Sequence, residues 1–216
     1  MSKISDFSNL AAGAVGTGFR YPTVGLYNGD GTPGTHTNGR RLARGVSMSL
    51  DIQTADGNVF YADDVAAESN AARFSDGTVS LTVDGLLPDS ERMINGLPEE
   101  ETVDVGDRQI PITRTGDDAN SPNVGYGAIR VYESHGIELF RCIVLPKVSF
   151  RQAGFDAETR TEQKNYQPQD LTADIFRIDG GKHDWRWLGA LYTTVEEALA
   201  DLDALLAVPA EVANGG

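Results

Sequence analysis

Asp76–Val83 reads DGTVSLTV, and this octet decides the fold. After the Asp-Gly turn pair, Val79, Leu81 and Val83 alternate with Thr78, Ser80 and Thr82. An apolar residue at every second position places all the aliphatic side chains on one face of an extended chain, the pattern of a half-buried antiparallel strand. The same period returns on either side. Val46, Met48, Leu50 and Ile52 alternate with Ser47, Ser49 and Asp51, and Leu171, Ala173 and Ile175 alternate with Thr172, Asp174 and Phe176. The segments 126–133 and 137–146 read as a hairpin across Ser134-His135-Gly136, and 59–61 and 147–152 as further strands.

Two helices are expected. Pro88 suits a first helical turn, and the run through Ile94 is stopped by Asn95-Gly96. Near the C-terminus Thr193 and Glu196 have capping-box spacing. Val195, Ala198, Leu199, Leu202, Leu205 and Leu206 follow at helical spacing, with Pro209 as the stop. Such a stripe needs a sheet to lie on, because an isolated helix of this length is marginal in water.

The remaining segments are weakly patterned. Residues 1–24 show no sustained period and read as an arm, and 28–41 as a loop holding the turn pairs Asn28-Gly29, Asp30-Gly31 and Asn38-Gly39. Residues 65–73 read as a loop or a single helical turn after an Asp56-Gly57 turn, and 97–123 as an acidic excursion with little core content. The expectation is one domain, mainly β: an antiparallel β-sandwich or barrel with a flanking C-terminal α-helix. An N-terminal arm and loop occupies 1–40, the core 41–207 and a flexible tail 208–216.

Composition narrows the function. The net charge is −14, from 32 acidic and 18 basic residues. That balance opposes nucleic-acid binding, which needs cations to displace the counterions of the phosphates. It suits a surface past which DNA moves without adhering, and equally one that is simply soluble. The single Cys142 excludes an internal disulfide and, beside Phe140, Ile143 and Val144, reads as a small buried hydrophobe. No apolar run approaches the ~20 residues needed to cross a bilayer. Asp6 interrupts the weakly apolar N-terminus, so no signal peptide is read there, and a reducing cytoplasm is the expected compartment.

Candidate chemistry is sparse. Asp63-Asp64 is an adjacent carboxylate pair, but neighbours in a strand point to opposite faces and cannot easily converge on one metal. Capping a turn suits them better. His36, His135 and His183 lie in separate polar loops without zinc spacing. Gly13, Gly16 and Gly18 lack the Lys-Ser/Thr of a phosphate loop. Trp185 and Trp187 flank Arg186 at strand spacing, which places both indoles on one face, either as a sugar platform or packed beneath the terminal helix or a subunit contact. No cofactor, metal or catalytic residue is expected, and the chain reads as a non-enzyme.

Three phrases in order carry a resemblance: NVFYADD at 58–64, DGTVSLTVDGLLPDSERMINGL at 76–97, and GYGAIRVYESHGIELFRCIVLPKVSF at 125–150. Their order and spacing resemble the major tail tube proteins of long-tailed bacteriophages, the phi13-like group in particular, over Arg40 to Ala207. The resemblance implies a tail tube β-sandwich or barrel whose copies form hexameric rings stacked into a hollow tube. It implies location in the virion, with the host cytoplasm before assembly. Double-stranded DNA is met only in transit, and no membrane is. The implied partners are further copies, a tape measure protein, a tail-tip initiator and a tail terminator. It also implies that the region from Ala55 to Ser75 reaches neighbouring subunits, with Val59, Phe60, Tyr61 and Phe74 as the apolar contact residues. The competing reading is a β-sandwich binding or adhesion module using Trp185 and Trp187 on carbohydrate.

Overall fold

The computed structural model describes residues 13–55, 59–62, 65–69, 73–116, 119–152, 154 and 168–209, with 59–62 and 65–69 described as backbone. Its main body is one antiparallel sheet of eight strands. In chain order these are β1 (Val15–Leu26), β2 (Thr37–Arg41), β3 (Gly45–Ala55), β6 (Arg73–Val83), β9 (Asn123–Ser134), β10 (Ile137–Phe150), β11 (Gln169–Ile175) and β12 (Trp187–Leu188). Two small hairpins stand apart: β4 (Val59–Ala62) with β5 (Val65–Ser69), and β7 (Glu101–Val105) with β8 (Arg108–Ile112). The helices are α1 (Pro88–Asn95) and α2 (Val195–Leu206). Across the sheet the order is β2-β1-β9-β10-β11-β6-β3, with β12 also on β10.

The sheet curls over its own apolar side. Val79, Leu81 and Val83 of β6 and Leu171, Ala173 and Ile175 of β11 meet Val24, Val124, Tyr126 and Phe150 in one core. Tyr126 of β9 reaches across to Met48 of β3, with its hydroxyl 3.4 Å from the sulfur. The other side of the β9–β10 hairpin is apolar too, and α2 covers it: Ile129, Val131, Phe140, Cys142 and Val144 pack against Ala198, Leu202 and Leu206. Two buried faces explain the near-continuous apolar run through these two strands. Their connection is a two-residue turn, His135 at φ 52° and Gly136 at φ 77°, the conformation that matches strand twist in a tight hairpin.

α2 approaches the sheet closely because glycines form the floor beneath it. A Cβ on Gly25 would lie 2.6 Å from the Leu206 carbonyl oxygen, and one on Gly127 would lie 2.6 Å from Leu202 Cδ1.

Several expectations need correction. Residues 15–26 are not an arm, since β1 lies between β2 and β9, and of the expected 28–41 loop only the part before β2 is loop. The alternation of β1 was hidden by glycines and by register shifts between Gly16 and Gly18 and between Arg20 and Thr23. Asn38-Gly39 is not a turn but the middle of β2, with Asn38 at φ 53°. Residues 65–69 are strand rather than loop or helix, paired to β4. The excursion after α1 contains the regular hairpin β7–β8, closed by Gly106 and Asp107. The cap of α2 is one residue later than its spacing predicts: Thr194 is the N-cap, its hydroxyl 3.0 Å from Glu197 Oε2. α1 agrees with the sequence, with Gly96 as the left-handed C-cap at φ 62°. No described helix is long and apolar enough to cross a membrane.

Candidate assembly surface

Register turns the alternation of β3, β6 and β11 into a surface. Ser47 pairs with Thr82 and Thr82 with Asp170; Ser49 pairs with Ser80 and Ser80 with Thr172; Asp51 pairs with Thr78 and Thr78 with Asp174. Directly paired residues share a face. The outward side of these strands is therefore a grid of three serines, three threonines and three aspartates, all exposed or half-exposed. The grid itself contains no cation. Arg151 stands at its margin and holds Asp174 through two bonds, of 3.1 and 2.6 Å, and Thr82 donates to Asp170 at 2.7 Å. Neighbouring strands lie ~4.8 Å apart and same-face residues ~6.8 Å along each strand, so this is a regularly spaced wet wall. It has no aromatic platform and no activated nucleophile.

β3 borders the grid and, among the described strands, pairs only with β6. Its register shifts fall at its two ends, between Gly45 and Ser47 and between Gln53 and Thr54, so the middle is regular. It contains no Lys or Pro, the residues that usually blunt a strand edge. Val46 on this strand is 60% exposed. The N-terminal half of β1 is a second unpaired edge: β2 reaches only its last four residues, from Thr23 to Leu26. The two edges converge where Phe19 fills the space that a side chain on Gly45 would need. They diverge around a cleft lined by Gly16, Gly18, Met48, Leu50 and Arg130. Free backbone donors and acceptors along both edges are suited to pairing with another strand.

The candidate contact residues fare unequally. Val59, Phe60 and Tyr61 fall in β4, which among the described strands pairs with β5, and their side chains lie outside the described residues. Phe74 is buried by its own chain in β6, its ring stacked on Trp185 at 4.8 Å and 10°. It is thus core, not a ring offered to a neighbour. Asp63-Asp64 lies outside the described residues.

The tryptophans do not form a joint platform. Trp185 stacks in the core within the sheet, whereas Trp187 packs into the cluster beneath α2 and meets the His36 ring edge-on at 6.0 Å. Their strand spacing predicts a shared face, but Trp185 lies in a bend before the two-residue β12 begins, so the alternation does not extend to it.

His36 stands in the loop just before β2, where its sequence context places it, but it is not solvated. It is buried, and Nε2 lies 2.8 Å from the Pro146 carbonyl oxygen, so this nitrogen carries the proton and donates. Burial holds its pKa below the ordinary imidazole value, outweighing the backbone bonds to Pro146 and Leu205. Cys142 is fully buried, and desolvation pushes its thiol up to about 11, the state of an inert packing residue. Among the described residues no group of His, Cys, Asp or Glu could hold a metal ion.

No protein-family model matches the chain, and no curated protein matches it.

Proposed function

We propose that this chain is a structural subunit that assembles with copies of itself into a hollow tube, as in the tail tube of a long-tailed phage. The observation that carries this reading is the combination on one strand: β3 borders the hydroxyl and carboxylate grid and ends the sheet unpaired. Pairing of such an edge with a neighbouring copy extends the sheet sideways, and a repeat of that operation closes a ring. The grid then supplies a polar wall along the bore. Duplex DNA carries about one negative charge per ~1.7 Å; a wall of hydroxyls and carboxylates offers it no cationic hold, as a conduit requires. Tape measure, initiator and terminator proteins are the partners this reading adds.

A carbohydrate-binding module receives less support, because the two indoles it needs occupy separate packing clusters. Negative-stain electron microscopy of the concentrated protein, with sedimentation velocity alongside, tests the proposal. Rings or tubes with a uniform bore are expected. A monomer at every concentration and salt condition would overturn it.

A further inference from the structure

One end of the sheet gathers positive charge on its inner face. Arg130 of β9 and Arg141 of β10 are directly paired, and alternation along β9 puts them on the side of the core residues Tyr126 and Ala128. Like charges directly opposite one another weaken a sheet, so this pair is costly unless an anion answers it. Arg141 is anchored, its Nε donating to the Gly189 carbonyl at 2.7 Å. Arg130 reaches towards β1: a Cβ on Gly16 would lie 3.3 Å from its Nη2.

Arg186 joins Arg130 in lining the cleft between the β1 and β3 edges, and no carboxylate is among the described residues that line it. Both arginines are exposed, and neither is ion-paired among the described residues. Arg130 rests against Tyr132 and Arg186 against Trp185, 5.2 and 4.6 Å from the ring centres, contacts that do not satisfy the N–H donors. The nearest acidic pair along the hairpin, Glu133 with Glu138, falls on the opposite face by the same alternation. In a chain of net charge −14 the cleft is a local reversal of sign.

We infer that this cleft receives an extended acidic segment of another protein, which pairs with the β3 edge and turns alternate carboxylates towards Arg130 and Arg186. Strand addition supplies backbone bonds and places every second side chain on the inner face. A guanidinium can then hold a carboxylate through two parallel N–H bonds. The edge strands of a second copy do not fit this role. β1, β2 and β12 contain no carboxylate, and Asp51 of β3 belongs to the grid face. The inference is separate from the self-assembly reading, except that both occupants need the β3 edge and so exclude one another.

Fluorescence anisotropy on the dilute full chain tests it, with a labelled, end-blocked peptide of alternating glutamate and threonine as the probe. Saturable binding is expected. It should weaken about tenfold or more when Arg130→Gln and Arg186→Gln are combined, and stay unchanged in Arg44→Gln, an exposed arginine outside the cleft. Matching thermal melts check that the variants fold. A glutamine–threonine peptide should not bind, nor should the glutamate peptide methylated on its backbone nitrogens, which keeps the charge but cannot pair. No binding of the probe, or an equal loss in Arg44→Gln, would overturn the inference. So would equal binding of the methylated peptide or of a thymidine oligonucleotide of the same charge, since either means general attraction for anions. Tubes by microscopy without peptide binding would overturn it and leave the assembly proposal standing. Arginine-dependent binding by a chain that never forms tubes would do the reverse.

Discussion

Arg41 of β2 grips Asp203 of α2 through both guanidinium nitrogens, Nη1 2.7 Å from Oδ1 and Nη2 2.8 Å from Oδ2. Nη1 also lies 2.7 Å from the Thr23 hydroxyl of β1, so a single side chain ties two strands to the terminal helix. Both partners are largely buried, at 13% and 14% side-chain exposure. Removing one member of such a pair strands the other charge away from water. Asp203→Ala is expected to cost ~3 kcal/mol, read as a lowered urea midpoint with an unchanged slope. The double change Arg41→Met with Asp203→Leu should cost less than Asp203→Ala alone, because no charge is then left unpaired. A double variant that is as unstable as the two single variants added together would count against this account.

His36 gives stability a pH dependence whose direction follows from its burial. Its folded pKa lies below the ordinary imidazole value of about 6.5, so below that pH the unfolded chain binds a proton that the folded chain refuses. The stability it contributes is complete above that value and falls as pH drops towards the folded pKa. Thermal melts at pH 7.5 and 5.5 should show a lower midpoint at 5.5, and His36→Gln should shrink the difference. The exposed Asp30 and Asp179, whose pKa values are lowered by hydrogen bonds from Thr32 and from Lys147, act only at more acidic pH. A pH difference unchanged in His36→Gln would place its origin elsewhere.

The edge of β3 can be blunted without touching the core. Val46 is exposed, and a lysine there supplies the charge that natural edge strands use against pairing. Val46→Lys should leave folding stability within ~0.5 kcal/mol of the parent while abolishing assembly by light scattering. A variant that assembles as fast as the parent would remove β3 from the interface.

How much of this was visible in the sequence depends on where each strand's side chains go. β6 buries one face only, so Val79, Leu81 and Val83 announce it. α2 is equally plain, because its stripe needs a floor. β1 was illegible because its packing against α2 requires glycine at position 25 and its bulges interrupt the period. β7–β8 hides because its two short apolar alternations, Val103-Val105 and Ile110-Ile112, are embedded among charged and polar residues and never reach the core. The grid is a property of register. Ser49, Ser80 and Thr172 are far apart in sequence, and only strand pairing reveals that they share a rung.

Charge sets the last expectation. Every copy carries −14, and the proposed assembly would bring these charges together. The Debye length is ~30 Å at 0.01 M salt and ~8 Å at physiological ionic strength. At low salt each copy therefore feels the whole charge of its neighbours, whereas at moderate salt the repulsion contracts to the contact itself. Edge pairing along β3, as proposed, would be backbone hydrogen bonding plus apolar contact, and screening weakens neither. Polymerisation should accordingly quicken as salt rises from 0.01 to 0.15 M, followed as the rate of increase in scattered light. A rate that fell steadily across that range would mean that attraction between unlike patches, rather than relief of like-charge repulsion, governs how the copies meet.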